Sequence, residues 1–384
     1  MTLLARRYLR LAQSLLRKEQ ARGQERAGNG WAAPPVSLSL QPTLACNLHC
    51  RMCIQNGPQG YLDPADPIKK SRLPISVWRR FLAEAAAFHP YLHIWGGEPL
   101  LYPEIDELVD VIRGLDLPLA LTTNAVLGLP HLETLLRLDV LRISVDGPET
   151  VHDRVRGRPG TFAAVLGLIQ AADCERERRK KSWPRIVTNT LIIDETYSHL
   201  EATARILLEL PLDRSDLSLP MFTTVERGQA YAGILLREFG VAAKAWPGFV
   251  IEGIRVDLNH VIQSLHTIAG FAPRRRFAVF PSGHIADVVP YYQDLNQTFG
   301  VRHCFAVTDN LNVLPNGDVT LCNDLPDLII GNIAENSFAE IWNSEKARAF
   351  RRRLRQGLLP VCARCCLLYS YPVHRAAWRL AYLR

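Results

Sequence analysis

Residues 44–53 read LACNLHCRMC and contain three cysteines, Cys46, Cys50 and Cys53, in the spacing C-x3-C-x2-C. Iron–sulfur clusters in proteins are normally held by four thiolates. Three thiolates from one short loop can hold a cuboidal cluster and leave its fourth iron without a protein ligand. This vacancy predicts that a substrate or cofactor completes the coordination of that iron.

A structural zinc ion is the main alternative for this loop. Zinc takes four ligands, usually in paired spacings, and this triplet is not paired. His49 lies inside the tight loop and would strain it by acting as a fourth ligand. Chance cysteines on a loop are a further alternative. The order of the motifs that follow favours the cluster.

The composition limits the class of protein. The chain has 384 residues, of which 48% are hydrophobic, and a formal net charge of +7. Two domains are consistent with this length, and no run approaches the roughly 18 uninterrupted apolar residues of a membrane helix. Eight of the nine cysteines form two separated groups, and the set does not resemble a secreted disulfide framework. Iron–sulfur clusters fit a reducing cytosol, so we expect a cytoplasmic location.

Part of the positive charge lies near the two ends of the chain. Residues 1–32 include the stretch ARRYLRLAQSLLRK, whose period predicts an amphipathic helix. This helix could make peripheral contact with an anionic membrane surface, or it could pack on its own domain. The basic run at residues 351–355 predicts solvated helix surface. Nucleic-acid binding is disfavoured because no aromatic residues interrupt that run.

Six short apolar runs predict strands and alternate with helical patterns. They cover residues 36–43, 91–97, 117–124, 140–146, 185–193 and 216–223. This alternation predicts an α/β fold with a parallel sheet of βαβ units, which we interpret as a partial (β/α)6 barrel over residues 33–225. Residues 226–300 lose the alternation and predict a linking region over the barrel mouth. Residues 301–375 predict a small cysteine-rich α+β domain.

Further motifs fall at strand ends, where parallel α/β proteins place their chemistry. Gly96-Gly97-Glu98-Pro99 ends the second strand, and its glycines allow a close approach of the backbone to a ligand. Glu98 can accept a charge-assisted hydrogen bond from an ammonium group. The third strand ends in the sequence TTNA and the fourth in ISVDG. Their polar side chains suit ribose and carboxylate contacts, with turn caps as the alternative.

The cysteine triplet followed by GGEP resembles the radical SAM enzyme family, over about residues 36–366. The resemblance implies a [4Fe–4S] cluster whose open iron chelates S-adenosylmethionine through its amino and carboxylate groups. It also implies a set of cofactor contacts. The residues concerned are Gly96, Gly97, Glu98, Thr122, Thr123, Ser144 and Arg156. An ion pair with Asp153 is the structural alternative for Arg156. Two positions depart from the family pattern, Ala125 in place of glycine and Met52 in place of an aromatic residue.

A second cysteine group begins at Cys304 and continues through Cys322, Cys362 and Cys365. The first two form a C-x12-G-x4-C pattern around an Asn-Gly turn, which predicts a hairpin, and the last two form a C-x2-C pair. The group resembles the SPASM and shorter twitch domains of radical SAM enzymes. That resemblance implies one auxiliary [4Fe–4S] cluster, while the spacing alone leaves a four-thiolate zinc site open. Cys366 is a possible substitute ligand.

The resemblance implies reductive cleavage of S-adenosylmethionine and hydrogen abstraction from a substrate, with flavodoxin or ferredoxin as the reductant. The residues before the first strand are too few for a leader-peptide-binding domain, which favours a small-molecule substrate. A ribosomally made peptide is the alternative substrate. An iron–sulfur electron carrier or sensor and an RNA-modifying enzyme are the other functions considered.

The catalytic acid or base is not identified by the sequence. Five residues of the region over the mouth are candidates for an acid, base or radical relay. They are Glu226, His284, Asp287, Tyr291 and Tyr292. Asn189, and either Met221 or Phe222, are candidate pocket walls. Cys174 lies in a helical pattern and is predicted to be an ordinary buried thiol.

Overall fold

A computed structural model of the chain describes residues 3–25, 28–251, 255–273, 275–281 and 285–369. The strands are β1 Ser37–Leu40, β2 Tyr91–Ile94, β3 Leu119–Thr123, β4 Val140–Ser144, β5 Arg185–Leu191, β6 Arg214–Ser218, β7 Phe277–Phe280, β8 Asn310–Val313, β9 Asp318–Thr320 and β10 Ile329–Asn332. The helices are α1 Leu3–Glu25, α2 Ile75–Ala86, α3 Ile105–Gly114, α4 Leu132–Leu135, α5 Glu149–Arg156, α6 Thr161–Arg178, α7 Leu200–Glu209, α8 Val225–Phe239, α9 Leu258–Phe271, α10 Val288–Gln293, α11 Ala306–Asp309, α12 Phe338–Trp342 and α13 Glu345–Gln356.

All ten strands belong to one sheet, in the order β10-β9-β8-β1-β2-β3-β4-β5-β6-β7. Strands β1 to β7 are parallel and lie in chain order, which confirms the predicted βαβ architecture. Strand β8 pairs with β1 in parallel, and β9 and β10 continue the sheet as antiparallel strands. The cysteine-rich unit is therefore joined by strand pairing to β1, the strand that leads into the cysteine loop.

The helices bury apolar stripes against the outer face of the parallel strands. Helix α2 buries Trp78, Phe81 and Leu82, which recur at helical spacing. The opposite face of several strands carries polar side chains, such as Asn189 on β5 and Asp216 on β6. Alternation along a strand places these side chains on the inside of the barrel. One face of such a strand therefore packs in the core, and the other face lines the interior of the barrel.

The structure adds detail where the apolar pattern is weak. The sixth strand occupies Arg214–Ser218 instead of residues 216–223, because its polar side chains face the barrel interior and Pro220 cannot continue the hydrogen-bond ladder. The region 226–300 contains most of α8, together with α9, α10 and the short strand β7. The boundaries proposed for the link and for the C-terminal unit stay predictions, and residues 370–375 lie outside the described chain.

Helix α1 confirms the predicted N-terminal helix, and its second half packs on its own domain. Lys18 is buried and donates to the carbonyl of Ala33 at 2.7 Å. Arg22 is also buried and pairs with Asp309, with Nη2 and Oδ2 2.9 Å apart. These buried cations attach the helix beside the start of β8. The side chains of residues 1–8 lie outside the description.

The basic run in α13 is not wholly solvated as predicted. Arg351 is 1% exposed and donates to the carbonyls of Val307 and Trp342 at 2.8 and 2.9 Å. Its guanidinium also lies 4.2 Å from the ring centroid of Trp342. A guanidinium can be buried when several carbonyls accept its hydrogen bonds. A run of charges in the sequence does not distinguish such a residue from its solvated neighbours.

Candidate active site

The three N-terminal cysteines lie on the loop that follows β1, at the carboxyl end of the barrel. The loop turns tightly, since the amide of Cys53 donates to the carbonyl of Cys50 at 3.1 Å. The amide of Gly57 donates to the carbonyl of Cys53 at 2.9 Å. An added Cβ at Gly57 would lie 2.5 Å from that carbonyl oxygen, so glycine is needed to close the turn. The loop brings all three thiols to one end of the barrel.

The surroundings of these thiols suit a thiolate-bound cluster. Burial raises the pKa of the Cys46 thiol to about 12, and burial also raises the pKa of Cys50. Iron would displace the protons from such thiols, because a coordinating thiol is deprotonated. Arg156 places Nη1 3.6 Å from Cys50 Sγ, so a cation lies beside the negative charge that a thiolate would carry. The residues therefore fit an iron–sulfur cluster held by three cysteines.

The Gly96-Gly97 segment lies directly on the cysteine loop. The amide of Gly97 donates to the carbonyl of Thr43 at 3.1 Å, and the amide of Glu98 donates to the carbonyl of Ala45 at 2.8 Å. A Cβ added at Gly97 would lie 2.1 Å from the carbonyl oxygen of Ala45. The second glycine is thus required by contact between two protein backbones. Contact of this segment with a cofactor stays a prediction.

Replacing Gly97 by alanine is expected to displace the cysteine loop. The added methyl group cannot fit beside the Ala45 carbonyl, and overpacking of this kind typically costs about 1–3 kcal/mol. We expect a lower Tm and a lower iron content after anaerobic reconstitution. Gly233→Ala in α8 is the matched control, since a Cβ there meets nothing within 4 Å. Equal iron content in both variants would contradict the assignment.

The Glu98 carboxylate is buried and connects the second and third strands. It is 1% exposed and accepts from the hydroxyl of Thr123 and from the amide of Asn124, both at 2.8 Å. Burial raises the pKa of Glu98 to about 6. The amide nitrogen of the Asn124 side chain lies 4.0 Å from Cys46 Sγ. Glu98 therefore holds the end of β3 against the cysteine loop, and its predicted contact with the cofactor amino group is not tested by these bonds.

Thr122 and Ser144 occupy the inner face of the barrel, whereas Thr123 points toward Glu98. The Thr122 hydroxyl lies 2.8 Å from His93 Nε2. Ser144 is the register partner of Asn189 across β4 and β5. Alternation along β3 separates the two threonines. Of the two, Thr122 is placed to face a ligand in the barrel, and its role with Ser144 in binding the cofactor stays a prediction.

Arg156 pairs with Asp146 instead of the predicted partner Asp153. Its Nη2 lies 2.5 Å from Asp146 Oδ2. Asp153 caps the next helix, accepting from the amides of Gly160 and Phe162 at 2.6 and 2.8 Å. Arg156 therefore does form a structural ion pair, but the prediction of Asp153 as its partner was wrong. Although burial opposes the charge, Asp146 and Cys50 raise the pKa of Arg156.

His152 is expected to make the protein sensitive to acid. Its Nδ1 accepts from the amide of Asp146 at 3.1 Å, and burial lowers the pKa of His152 to about 4. In the unfolded chain this histidine binds a proton near pH 6.5. The stability that neutral His152 contributes to the folded protein is therefore fully present above pH 6.5 and is lost as the pH falls towards 4. We expect a loss of about 2 kcal/mol at pH 5. The Tm of the reconstituted protein at pH 7 and pH 5 measures it.

The neutral variant His152→Gln keeps an acceptor for the Asp146 amide and should lose less Tm between the two pH values. His266→Gln, at an exposed position on α9, should behave as the wild type does. The same acid-dependent loss in all three proteins would contradict this role of His152.

A cavity of about 970 Å³ extends from the cysteine loop into the barrel. Met52 and Cys53 lie on its wall, as do Asn189 and Met221, which confirms two candidate wall residues. Phe222 instead packs in the core against Tyr291, with ring centroids 6.2 Å apart. Such a volume is typical of small-molecule sites. The wall also includes Asp324, Cys366 and Leu367 from the cysteine-rich unit.

Of the predicted relay residues, none that the structure describes lines this cavity. The Tyr291 hydroxyl donates to the carbonyl of Pro220 at 2.9 Å, and the Tyr292 hydroxyl donates to the carbonyl of Ile192 at 2.7 Å. Both side chains are buried, so their hydroxyl groups attach the linking region, residues 226–300, to the barrel. Glu226 is exposed at the start of α8. His284 lies outside the described residues.

The four predicted ligands of the second cluster line one smaller, mainly apolar cavity. They are Cys304, Cys322, Cys362 and Cys365. Burial raises the pKa of Cys304 to about 11 and that of Cys362 to about 12, so these thiols are protonated until a metal binds. Within the described ranges, no three His, Cys, Asp or Glu side chains are grouped tightly enough to hold a single metal ion. The four thiols surround a cavity instead of one point.

Cys366 differs from the four cavity cysteines, because it lines the large barrel cavity. The carboxylate of Asp324 lies between the two cavities. Its Oδ2 accepts from Cys365 Sγ at 3.1 Å and from Cys366 Sγ at 3.9 Å. Asp324, together with Met221 and Leu367, which line both cavities, therefore lies between the second cysteine group and the barrel cavity. Cys174 is exposed on α6, so its predicted burial was wrong.

Models of two protein families match the chain. Residues 40–207 match the radical SAM superfamily, and residues 304–366 match the SPASM iron–sulfur cluster-binding domain. The chain is a radical SAM enzyme with a SPASM domain. Its cofactors are S-adenosylmethionine and iron–sulfur clusters. None of the described helices has the length and apolar character needed to cross a bilayer.

Several curated relatives resemble this radical SAM enzyme. An AdoMet-dependent heme synthase from Methanosarcina barkeri is 26% identical over 83% of this chain and 84% of its own. A tungsten-containing aldehyde ferredoxin oxidoreductase cofactor-modifying protein from Pyrococcus furiosus is 24% identical over 86% of this chain and 87% of its own. PqqA peptide cyclase from Gluconobacter oxydans is 34% identical over only 36% of this chain and 39% of its own.

Solved structures confirm the fold of the radical SAM enzyme. Streptococcus suis SuiB bound to S-adenosylmethionine superposes with a TM-score of 0.61 at 16% identity, covering 87% of this chain and 71% of SuiB. At this identity the likeness concerns the architecture alone. It supports the predicted barrel with a C-terminal cysteine-rich unit.

Several cavity residues were missed in the sequence. They are His93, Arg142, Arg214, Asp216 and Asp324. On β4 and β6 a signal was present, since charged residues alternate with apolar or small ones inside otherwise strand-like runs. Polar residues at every second position of a strand indicate a face directed away from the core. Asp324 lies in a loop, where the sequence gives no such indication.

Proposed function

We propose that the radical SAM enzyme removes a hydrogen atom from a small molecule bound in the barrel cavity and oxidises the resulting radical through an auxiliary cluster. The observation that carries this proposal is the single cavity that reaches from Cys53 to Cys366. A substrate in it would lie between the two cysteine groups. When bound at the open iron and reduced by one electron, S-adenosylmethionine supplies a 5′-deoxyadenosyl radical.

The chain's own residues orient the reactants and exclude water. Cys46, Cys50 and Cys53 would hold the first cluster, and the barrel wall would limit the radical to one substrate hydrogen. The substrate would lose a hydrogen atom to the 5′-deoxyadenosyl radical, which becomes 5′-deoxyadenosine, and would then lose an electron to the auxiliary cluster and a proton to solvent. A flavodoxin or ferredoxin in the cytoplasm would reduce the first cluster. Cluster potentials respond to burial and nearby charge, as at the buried second group.

The relatives support a small molecule over a peptide. Two relatives that match more than four fifths of the chain are named for heme synthesis and for modification of an enzyme cofactor. The relatives named for peptide cyclisation or maturation match little more than a third of it. A ribosomally made peptide is the second candidate, favoured by those names and by SuiB with its precursor peptide SuiA.

Deuterium transfer distinguishes the two substrate classes. A deuterated cell extract is separated by size into small-molecule and peptide fractions, and each is given to the anaerobically reconstituted enzyme with dithionite and S-adenosylmethionine. Deuterated 5′-deoxyadenosine from the small-molecule fraction supports the proposal. Label only from the peptide fraction supports the second candidate. Failure of the reconstituted protein to bind S-adenosylmethionine in calorimetry would favour an electron carrier.

A further inference from the structure

We propose that the inner end of the barrel cavity is an anion site in which Arg142 binds a carboxylate group of the substrate. This inference rests on the proposed function, because it assumes that the substrate occupies the barrel cavity. It adds the chemical class of the group that the cavity recognises.

Strand register places two arginines in one row across the barrel. Arg142 on β4 pairs with Val187 on β5, and Val187 pairs with Arg214 on β6. Both arginines line the cavity, and β5 lies between their strands. Ser144 lies two residues beyond Arg142 on the same face, which is about 6.6 Å further along the strand. The arginine row is therefore deeper in the barrel than the strand end.

Both arginines contact the carboxylate of Asp216. Arg214 contacts Asp216 twice, with Nε 2.7 Å from Oδ1 and Nη2 2.8 Å from Oδ2. Arg142 makes one longer contact, with Nη1 3.4 Å from Asp216 Oδ2. The Arg142 side chain is 36% exposed, whereas that of Asp216 is 6% exposed. The Arg142 guanidinium, held more loosely by Asp216 and more exposed than that of Arg214, is therefore the one available to a ligand in the cavity.

Among the described residues that line the cavity, Asp216 is the acidic side chain that contacts Arg142. His93 lines the same end, where burial and then the charge of Arg142 lower the pKa of His93 to about 3, so it is neutral. The other charged residues lie towards the mouth. Arg51 pairs with Glu195 at 3.4 Å, and Asp194 accepts from the amide of Arg255 at 2.9 Å.

Asp324 is directed at the cysteine thiols, with its Oδ2 3.1 Å from Cys365 Sγ. The inner end therefore offers the Arg142 guanidinium, while acidic side chains predominate nearer the mouth. An anionic group would be drawn to the inner end, leaving the rest of the substrate towards the cysteine loop.

The stability of the fold gives no reason for a partly exposed arginine at position 142. Buried ion networks are often no more stable than apolar residues of similar volume. A guanidinium that faces a cavity binds a carboxylate through two parallel hydrogen bonds. Asp216 holds Arg214 and limits the movement of Arg142. The arrangement is a preorganised receptor for one carboxylate.

Binding of matched acid and amide probes tests the proposal without turnover. The probes are acetate, succinate, glutarate and benzoate, each paired with its amide and titrated by calorimetry into reconstituted enzyme with S-adenosylmethionine bound. We expect at least one acid to bind about tenfold more tightly than its amide. Arg142→Gln should abolish this preference, and Arg142→Lys should restore part of it. Arg137→Gln, at the Asp110 ion pair outside the cavity, should leave it unchanged.

Three results would overturn the proposal. The first is a lack of acid preference in the wild type for every probe pair. The second is an unchanged preference in Arg142→Gln. The third is a loss of S-adenosylmethionine affinity in Arg142→Gln, which would assign Arg142 to the cofactor. Failure of the proposed function is distinguishable, because it would appear as missing deuterium transfer while the probe preference remained.

Discussion

Cys46→Ala is expected to abolish the release of 5′-deoxyadenosine. Cys46 is one of three thiols on the loop after β1, and the described contacts of that loop provide no fourth thiol to replace it. With two thiolates the loop cannot hold a cuboidal cluster, so no iron is available to bind the amino and carboxylate groups of the cofactor. Chromatography of the products after anaerobic incubation with dithionite measures the effect.

Cys174→Ala is the matched control for this substitution. Cys174 is exposed on α6, on the outer side of the barrel, and its loss should leave both iron content and 5′-deoxyadenosine unchanged. Continued release from Cys46→Ala at the wild-type rate would show that the loop does not hold the cluster.

Cys362→Ala is expected to separate cofactor cleavage from product formation. Cys362 lines the smaller cavity with Cys304, Cys322 and Cys365, away from the first cysteine loop. Its loss should remove one cluster, about four irons per chain, and should spare at least part of the 5′-deoxyadenosine release. Oxidised product should be lost, because the substrate radical has no electron acceptor. Iron analysis, together with quantification of both products, measures the separation.

Cys366→Ala tests the assignment of the four ligands. Cys366 follows Cys365 directly but faces the barrel cavity, so this variant should keep the iron that Cys362→Ala loses. Zinc in place of iron at the second site, or equal iron loss in both variants, would contradict the assignment of one iron–sulfur cluster to these four cysteines.

The architecture and the two cysteine groups could be predicted from the residue pattern alone. Apolar runs separated by amphipathic helices predicted the parallel strands, because each signal depends on local periodicity. Cys46, Cys50 and Cys53 were identifiable because ligands on one short loop keep their spacing in the sequence. The Asn-Gly turn predicted the β8–β9 hairpin for the same reason.

Which charged side chains meet depends on the folded arrangement of the strands and could not be predicted. Arg142 and Arg214 are 72 positions apart in sequence numbering, yet strand register puts them in one row beside Asp216. Arg156 pairs with Asp146 instead of the nearer Asp153, because α5 turns its guanidinium back toward the cysteine loop. Contacts of this kind depend on how strands align and close into a barrel. Local residue patterns carry no information about that alignment, so the charge of the cavity appears only in the folded chain.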